Sequence, residues 1–432
     1  MREPISPSEP TAGQQNDPAP VLCMSGGGFR ATLFHLGVVR RLNELGVLRR
    51  LAAITSVSGG SILNGVLATR WSSLECGADG MYSGFDEHVA QPVRDFCSQD
   101  LRTRLLLGTR LDWANWPRLF RDFFAVPADF LAKAYMPLFC NQSLVDVPAP
   151  ALHVPRFVFC ATNTRTGACW HFHAGPAGRM GDFYTGYSST EPITVAKAVA
   201  ASSAFPPGFA ALQLLCETDR EWSRLDPWGE IRPESTKRPP PTASERRHIV
   251  LTDGGVYDNL GVEPVWNRFT SLLVSDAGMP FDPKGTCYQY LIARLSRAFD
   301  ISANQVGAVR KRWLVERLGH DHRGAMWAID TLVEEFPGGG HQCYSPRVRH
   351  FFPRIRTDLN SFTIGEMACL ENHGYAMADA AIRSRAPWAS TGDCPFQWPN
   401  PEWAGDAAAE CALKDSSSRR LLYDTWRYCA HR

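Results

Sequence analysis

The stretch CMSGGGFR, residues 23–30, decides the fold because three consecutive glycines follow a short apolar run there. Residues 21–24 predict a buried strand that ends at the glycines. Over residues 31–45, apolar side chains recur in steps of three and four, which is the period of a helix with one buried face. Residues 51–57 predict a second strand, and residues 60–71 a second helix. Two strands joined by a crossover helix pair in parallel, so we expect both turns at one edge of a sheet.

The second of these turns, TSVSGGS at residues 55–61, has the spacing of a nucleophile elbow. Ser56 and Gly60 flank Ser58 by two residues on each side, and a sharp strand-to-helix turn of this kind lifts one hydroxyl into the open. The usual elbow has glycine at both flanking positions, so Ser56 departs from the pattern. Ser58 is the candidate nucleophile, and the alternative is a Ser/Gly turn that caps the following helix.

The three glycines favour the catalytic interpretation of Ser58. The amides of Gly26, Gly27 and Gly28 carry no side chain that would block a ligand, so they can point into the crevice beside Ser58. Amides in that position form an oxyanion hole. Arg30, just inside the following helix, is expected either to pair with a structural carboxylate or to bind a substrate phosphate.

A dinucleotide-binding loop is the competing interpretation, since residues 26–31 also fit the pattern G-x-G-x-x-A. That fold requires an acidic residue at the end of the second strand to bind ribose hydroxyls. The second strand ends instead in Ile-Thr-Ser-Val, residues 54–57, and the serine turn follows. The sequence therefore favours an oxyanion loop.

The candidate base lies nearly two hundred residues later, in HIVLTDGGVYDNLG at residues 248–261. Residues 249–252 predict a buried strand that ends in Asp253. An acid at the carboxyl end of a strand is expected at the same sheet edge as Ser58. The alternative is a structural aspartate that caps its own Asp-Gly-Gly turn.

Five stretches together resemble the patatin-like phospholipases and their cytosolic phospholipase A relatives. They are SGGGFRA, SVSGG, the late DGG, FVFCATNTRTG at residues 157–167 and AVAASSAFPPGF at residues 198–209, and the resemblance covers roughly residues 20–265. It implies a three-layer α/β/α sandwich with a central, mainly parallel sheet. It also implies a Ser58–Asp253 dyad without histidine, an oxyanion loop at Gly26–Gly28, and an Arg30 that engages the lipid phosphate.

The implied activity is hydrolysis of fatty acyl esters of phospholipids or lysophospholipids, with no cofactor and no metal. One alternative is an α/β-hydrolase with a Ser-Asp-His triad, which needs a histidine after Asp253. Candidate histidines after Asp253 are His320, His322, His341, His350 and His373. The other alternative is a lipid-binding module that keeps the fold without turnover.

Composition limits the partners and the compartment. Lys plus Arg number 45 against 44 Asp plus Glu, so nucleic acid is not an expected partner. Thirteen cysteines without C-x-x-C pairs are typical of reduced thiols in a cytoplasmic protein. No run approaches the roughly 18 apolar residues of a membrane span, which leaves peripheral membrane contact. The oligomeric state is not predicted.

The sequence predicts one main domain with elaborations. Residues 1–20 predict a disordered leader and residues 21–386 the acyl hydrolase domain, with insertions at about 72–150 and 217–247. Residues 387–432 form a tail to which no role is assigned. Within residues 99–140, aromatic residues alternate with arginines. Core helices account for most of them, and a lid or a membrane-facing surface is the alternative.

Overall fold

The computed structural model describes residues 19–105, 126–206, 208–232, 239, 241–281, 291–320, 323–338, 342–392 and 394–416. Residues 1–18 of the predicted leader lie outside this part of the chain. Most of the aromatic residues that suggested a lid, from Trp113 to Phe124, lie outside it as well. The disorder and lid predictions therefore stay predictions.

A ten-stranded sheet forms the centre of the protein. Its strands in chain order are β1 Val21–Met24, β2 Ala53–Ser56, β3 Arg156–Asn163, β4 Ala168–His173, β5 Arg179–Asp182, β6 Gly186–Ser189, β7 Leu212–Leu215, β8 His248–Asp253, β9 Ser271–Asp276 and β10 Arg323–Ala328. The spatial order is β10-β9-β1-β2-β3-β4-β5-β6, and β8 lies beside β3 with β7 beyond it. Neighbouring strands pair in parallel from β10 through β9, β1 and β2 to β3, and all the other pairs in this sheet are antiparallel.

Helices surround the sheet. They are α1 Gly28–Glu44, α2 Gly59–Arg70, α3 Gln91–Cys97, α4 Ala128–Tyr135, α5 Val195–Ser202, α6 Ala243–Arg247, α7 Gly255–Asp258, α8 Leu291–His320, α9 Pro346–Arg349, α10 Ile364–Arg385 and α11 Asp406–Leu413. The predicted order of strand, helix, strand and helix at the start of the domain is confirmed, with β1 and β2 parallel. None of the described helices is both long enough and apolar enough to cross a membrane.

Side-chain alternation along β1 shows that both faces of the sheet are covered. Leu22 and Met24 join a large apolar core that also contains residues of α1, α2 and α10. Val21 and Cys23 point the other way, into a smaller core that includes Leu314 of α8. Successive residues of a strand point to opposite faces, so a strand buried on both sides reads as an unbroken apolar run. The predicted three-layer α/β/α sandwich is confirmed.

Helices α1 and α10 cross at very short distance. A Cβ added to Gly37 would lie 1.8 Å from the carbonyl oxygen of Glu371, and one added to Gly374 would lie 1.9 Å from that of Phe34. Only glycine permits this backbone contact. The contact holds α1, and with it the glycine loop at its N-terminus, against the C-terminal part of the chain.

The segment after α10 also packs on the domain. Ala409 and Leu413 of α11 belong to the large apolar core. Arg356 donates to the Ser416 hydroxyl at 2.8 Å and to Glu366 Oε1 at 2.6 Å, both in buried surroundings. The domain limits stay a prediction, and the described part of the segment beyond residue 386 is in contact with the core.

Candidate active site

Ser58 occupies the turn between β2 and α2 in a conformation that side-chain-bearing residues rarely adopt. Its φ is 49° and its ψ is −116°, and it directly precedes the first residue of α2. A non-glycine residue held there costs about 1–3 kcal/mol, and strain of this kind concentrates at active sites. It is also the geometry of a nucleophile elbow. The turn leaves Ser58 partly exposed while its neighbours are buried.

A hydrogen bond from a distant helix supports this turn. The backbone N–H of Ser58 donates to Ser202 Oγ of α5 at 2.9 Å, and Ser202 Oγ donates in turn to the Cys160 carbonyl of β3 at 2.6 Å. The Ser61 hydroxyl is 2.9 Å from the same Ser202 oxygen. Ser202 thus fixes the nucleophile turn against the central sheet.

Ser56, which replaces the usual glycine of the elbow, is part of the same buried network. Its hydroxyl accepts from Asn64 Nδ2 at 2.9 Å and lies 2.9 Å from Ser61 Oγ. It also donates to the carbonyl of Val158 at 3.2 Å. The side chain is fully buried, so it points away from the crevice and leaves Ser58 unobstructed.

The three glycines after β1 have different environments. Gly26 is buried, and its N–H donates to the Asn259 carbonyl at 3.2 Å, so this amide already has an acceptor. Gly27 and Gly28 are partly exposed, with φ of 144° and 58°. Within the described part of the chain, no acceptor contacts the N–H of Gly27 or of Gly28. The oxyanion loop predicted at Gly26–Gly28 therefore offers two open amides, at Gly27 and Gly28.

Gly59 supplies a third amide that lacks an acceptor among the described residues, and the sequence did not indicate it. It is the first residue of α2, and its N–H has no acceptor among the described residues although the residue is buried. A Cβ on Gly59 would lie 2.1 Å from the carbonyl oxygen of Gly28, so the starts of α1 and α2 touch. Helix N-termini attract negative charge. Two such ends meet beside Ser58.

Asp253 reaches the serine turn in a way that the sequence did not predict. Strand β8 runs antiparallel to β3, and it lies along the same edge of β3 as β2 does. Ser56 of β2 is opposite Phe159, and Asp253 is opposite Ala161, only two residues further along β3. Because β2 and β8 run towards each other, their carboxyl ends meet. The proximity of Ser58 and Asp253 thus depends on two converging strands, not on two parallel ones.

Asp253 is 2% exposed, and only one of its two carboxylate oxygens has a hydrogen-bond partner among the described residues. Its Oδ1 accepts from the Gly255 N–H at 2.6 Å, whereas Oδ2 has no hydrogen-bond partner among the described residues. Burial raises the pKa of Asp253 to about 7, against the lowering effects of the Gly255 N–H and the Ser58 hydroxyl. The Ser58 hydroxyl therefore lies beside the carboxylate, without a hydrogen bond of ordinary geometry. Such contacts are often loose before substrate binds.

Arg30 lies in surroundings that differ from both sequence expectations. It is fully buried, and its guanidinium donates to the carbonyls of Ile355 at 2.8 Å, Pro353 at 3.1 Å and Ala277 at 2.7 Å. Both terminal nitrogens are thereby bonded to backbone carbonyls, and no carboxylate of the described residues contacts them. Burial lowers the pKa of Arg30 to about 10. The phosphate contact predicted for Arg30 does not fit this geometry.

The described histidines give no support to a Ser-Asp-His triad. His373 is buried, with Nε2 2.9 Å from the Ile329 carbonyl and its ring stacked on Phe352. His350 packs on its neighbour Phe351. The side chains of the other three candidate histidines lie outside the described part of the chain. No described histidine bonds to either oxygen of Asp253.

Asn259 is a further residue that the sequence did not indicate, although it contacts several segments of the site. Its carbonyl accepts the Gly26 N–H, and its side-chain Oδ1 would be 2.6 Å from a Cβ on Gly26 and 2.7 Å from one on Gly255. Its Nδ2 would be 2.8 Å from a Cβ on Gly278. Two loops distant in sequence, at Gly26 and Gly278, therefore pack around this amide side chain together with the helical turn that precedes Asn259. No local pattern marks such a residue, because Gly26 and Gly278 come from distant parts of the chain.

Comparison with known protein families identifies the fold. The family model described as patatin-like phospholipase matches residues 22–266. The chain belongs to this family. The matched range contains the patatin-like glycine loop, Ser58 and Asp253, whereas β9, β10, α8 and α10 follow it. Membership of a phospholipase family supports a lipid hydrolase activity in general.

Two solved structures are among those similar to this patatin-like chain. Human GIVD cytosolic phospholipase A2 has a TM-score of 0.42 at 12% identity, with 93% of this chain covered. This chain spans 61% of that structure's length. VipD from Legionella pneumophila has a TM-score of 0.34 at 13% identity, with 85% of this chain and 67% of VipD covered. No curated protein matches the sequence significantly.

Proposed function

We propose that this protein is a serine acyl hydrolase that cleaves fatty acyl esters of phospholipids or lysophospholipids. The observation that supports it best is the arrangement around Ser58. Near its strained turn lie the amides of Gly27, Gly28 and Gly59 and the Oδ2 atom of Asp253, none of which has a hydrogen-bond partner among the described residues. A nucleophile, a base and oxyanion donors are the three parts that acyl transfer requires.

The first half of the reaction forms an acyl-enzyme. Asp253 Oδ2 accepts the hydroxyl proton while Ser58 Oγ attacks the ester carbonyl, giving a tetrahedral intermediate. The ester C–O bond then breaks, the acyl group stays on Ser58, and the proton passes from Asp253 to the departing alkoxide. A carboxylate with a pKa of about 7 is a stronger base than an ordinary aspartate and is still ionised in about half of the molecules at neutral pH.

The second half returns the free enzyme. Water gives its proton to Asp253 and adds its oxygen to the acyl carbonyl. The bond between the acyl carbon and Ser58 Oγ then breaks, Asp253 returns the proton to Ser58 Oγ, and the fatty acid leaves. In both halves the open amides of Gly27, Gly28 and Gly59 stabilise the negative oxygen. Loss of one such donor costs about 3–4 kcal/mol of transition-state stabilisation.

Gly26 and Arg30 have supporting roles in this proposal. A Cβ on Gly26 would lie 3.0 Å from the Cβ of Ser58, so a glycine there permits the loop to approach the nucleophile. Arg30 joins the start of α1 to the carbonyls of Ala277, Pro353 and Ile355 and thereby holds the amide-bearing loop in place. Arg30 is therefore proposed as a positioning residue instead of a phosphate ligand.

The compartment and the domain limits belong to the same proposal. The eleven described cysteines are all free, which is usual in the reducing cytoplasm. We place the acyl hydrolase domain at residues 21–386, in peripheral contact with membranes that hold its substrate.

Labelling by a fluorophosphonate probe tests the nucleophile, and a panel of phospholipids, lysophospholipids, triacylglycerols and short esters tests the substrate class. Wild-type protein is expected to be labelled on Ser58, and Ser58→Ala should lose both labelling and hydrolysis. Ser73→Ala, at the far end of the same helical segment, is the matched control and should retain both. Full hydrolysis by Ser58→Ala would refute the dyad.

A further inference from the structure

An exposed group of large apolar side chains lies outside the site described so far. It comprises Phe205, Met279, Phe281, Leu295 and Phe299, with exposed fractions of 48%, 58%, 37%, 61% and 37%. We call this group the apolar rim. Three separate segments contribute to it: the turn after α5, the turn after β9 and the first half of α8. Large exposed apolar groups on a folded protein usually mark a contact surface.

Side-chain contacts join the three segments. The rings of Phe205 and Phe299 are 6.3 Å apart in an edge-to-face arrangement. The Arg297 guanidinium lies over the Phe281 ring, 4.2 Å from its centre. Leu295 and Phe299 are one helical turn apart and so lie on the same face of α8. The apolar rim is therefore one surface instead of five scattered residues.

The apolar rim adjoins the proposed active site. The carbonyl of Ala204, next to Phe205, accepts the Asp253 N–H at 3.1 Å and the Thr252 hydroxyl at 2.8 Å. Gly278, next to Met279, packs against the side chain of Asn259. A surface that binds the apolar rim would thus lie at the entrance to the Ser58–Asp253 pair.

The charged residues beside the apolar rim indicate what kind of surface it would bind. Arg294 and Arg297 have no carboxylate partner among the described residues, whereas further along α8 Arg310 pairs with Glu263 at 3.2 Å and Lys311 with Asp276. Residues 291–306 contain these two arginines and a single acidic residue, Asp300. Arginines without a carboxylate partner among the described residues, next to exposed aromatic and aliphatic side chains, fit lipid phosphates above acyl chains.

We propose that the apolar rim, with Arg294 and Arg297, is the surface by which this protein docks on an anionic phospholipid bilayer. The proposal rests on the proposed hydrolysis of phospholipid, because docking there brings the bilayer to the active-site entrance. It assigns membrane contact to α8 and the two turns beside the dyad.

Vesicle sedimentation with two double variants tests the proposal. Leu295→Gln/Phe299→Gln removes apolar area while keeping helix-forming residues. Leu152→Gln/Ile231→Gln is the matched control, since these side chains are 85% and 79% exposed. Leu152 is four residues before Arg156, and Ile231 is four residues after Pro227, whose carbonyl accepts from Arg156. Arg156 pairs with Ala53, at the opposite end of β2 from Ser58. Each protein is mixed with vesicles of phosphatidylcholine alone or with added phosphatidylglycerol, and is assayed in parallel on a short soluble ester.

We expect wild-type protein and the control variant to bind the mixed vesicles more tightly than phosphatidylcholine alone. The rim variant should lose about tenfold or more in partitioning, with soluble-ester hydrolysis within about twofold of wild type. Arg294→Gln/Arg297→Gln should lose mainly the increment that phosphatidylglycerol gives.

Three outcomes would overturn the proposal. They are vesicle binding by the rim variant equal to wild type, an equal loss in the control variant, and a wild-type dimer that the rim variant breaks. Failure of the enzymatic proposal is distinguishable, because a wild-type protein without esterase activity could still bind vesicles through the apolar rim.

Discussion

Replacing Asp253 by asparagine should make the protein more stable at neutral and alkaline pH while it removes the proposed catalytic base. The carboxyl group is buried, and its pKa rises from 3.8 to about 7 on folding. Between these two values the folded protein retains a proton that the unfolded chain has released. The free energy of unfolding therefore falls as pH rises from about 4 to about 7, and the penalty is fully present above about 7.

The magnitude follows from the shift. About three pKa units at 1.36 kcal/mol each give about 4 kcal/mol as the largest expected cost of ionising Asp253 in the folded protein. Asparagine keeps an oxygen for the Gly255 N–H but carries no charge. Asp253→Asn should therefore gain little below pH 4 and up to about 4 kcal/mol near pH 8.

Urea unfolding of wild type and Asp253→Asn over this pH range measures the difference. Hydrolysis by the variant should fall at least about 100-fold, because proton transfer to a positioned base contributes that much or more. In wild type, kcat/KM should rise with pH to a plateau with an apparent pKa near 7, because the base must be ionised. A stability difference that does not change with pH would refute the argument that Asp253 is a buried, destabilising carboxylate.

Three further predictions concern the parts around the dyad. Ser58→Gly should be more stable than Ser58→Ala by about 1 kcal/mol, because only glycine relieves the positive φ of 49°; equal unfolding midpoints would contradict the strain. Ser202→Ala should lower stability by about 1–3 kcal/mol and reduce kcat with little effect on KM, because the Ser58 N–H loses its acceptor. Ser203→Ala is its control, since that hydroxyl donates to Val199 within the same helix, and an equal loss of kcat there would argue against a role specific to Ser202. Arg30→Met should cost about 3 kcal/mol or more of stability by leaving three carbonyls without a donor, and the ratio of phospholipid to neutral-ester hydrolysis should not change. A selective loss on phospholipid would restore the phosphate role of Arg30.

The structure also changes how the oxyanion loop can be tested. A Cβ on Gly27 would lie 2.7 Å from the Ala277 carbonyl, and one on Gly28 would lie 2.8 Å from that of Asp358. Both residues have a positive φ that glycine favours. Substitutions at these positions would therefore displace the backbone as well as block the amides. A loss of activity in such variants does not by itself measure an oxyanion contact.

The sequence alone determined the first βαβ unit, because every signal needed for it is local. Apolar periodicity predicted α1 and α2, glycines marked the turns, and small residues around Ser58 indicated an elbow. The family resemblance extended this to the sandwich and to Asp253 as the partner acid. These predictions required only the order of residues along the chain.

Tertiary structure decided how these parts meet. The direction of β8 depends on its pairing with β3, and the carboxyl of Asp253 is near Ser58 because two strands converge on one edge. Arg30 reaches carbonyls 247 and 325 residues away, and Ser58 is supported by a serine 144 residues away. Hydrogen bonds across such separations depend on packing, which no local pattern records. The sequence thus indicated a candidate nucleophile and a candidate acid, whereas the fold decided which amides lack an acceptor among the described residues and that the loop arginine is buried.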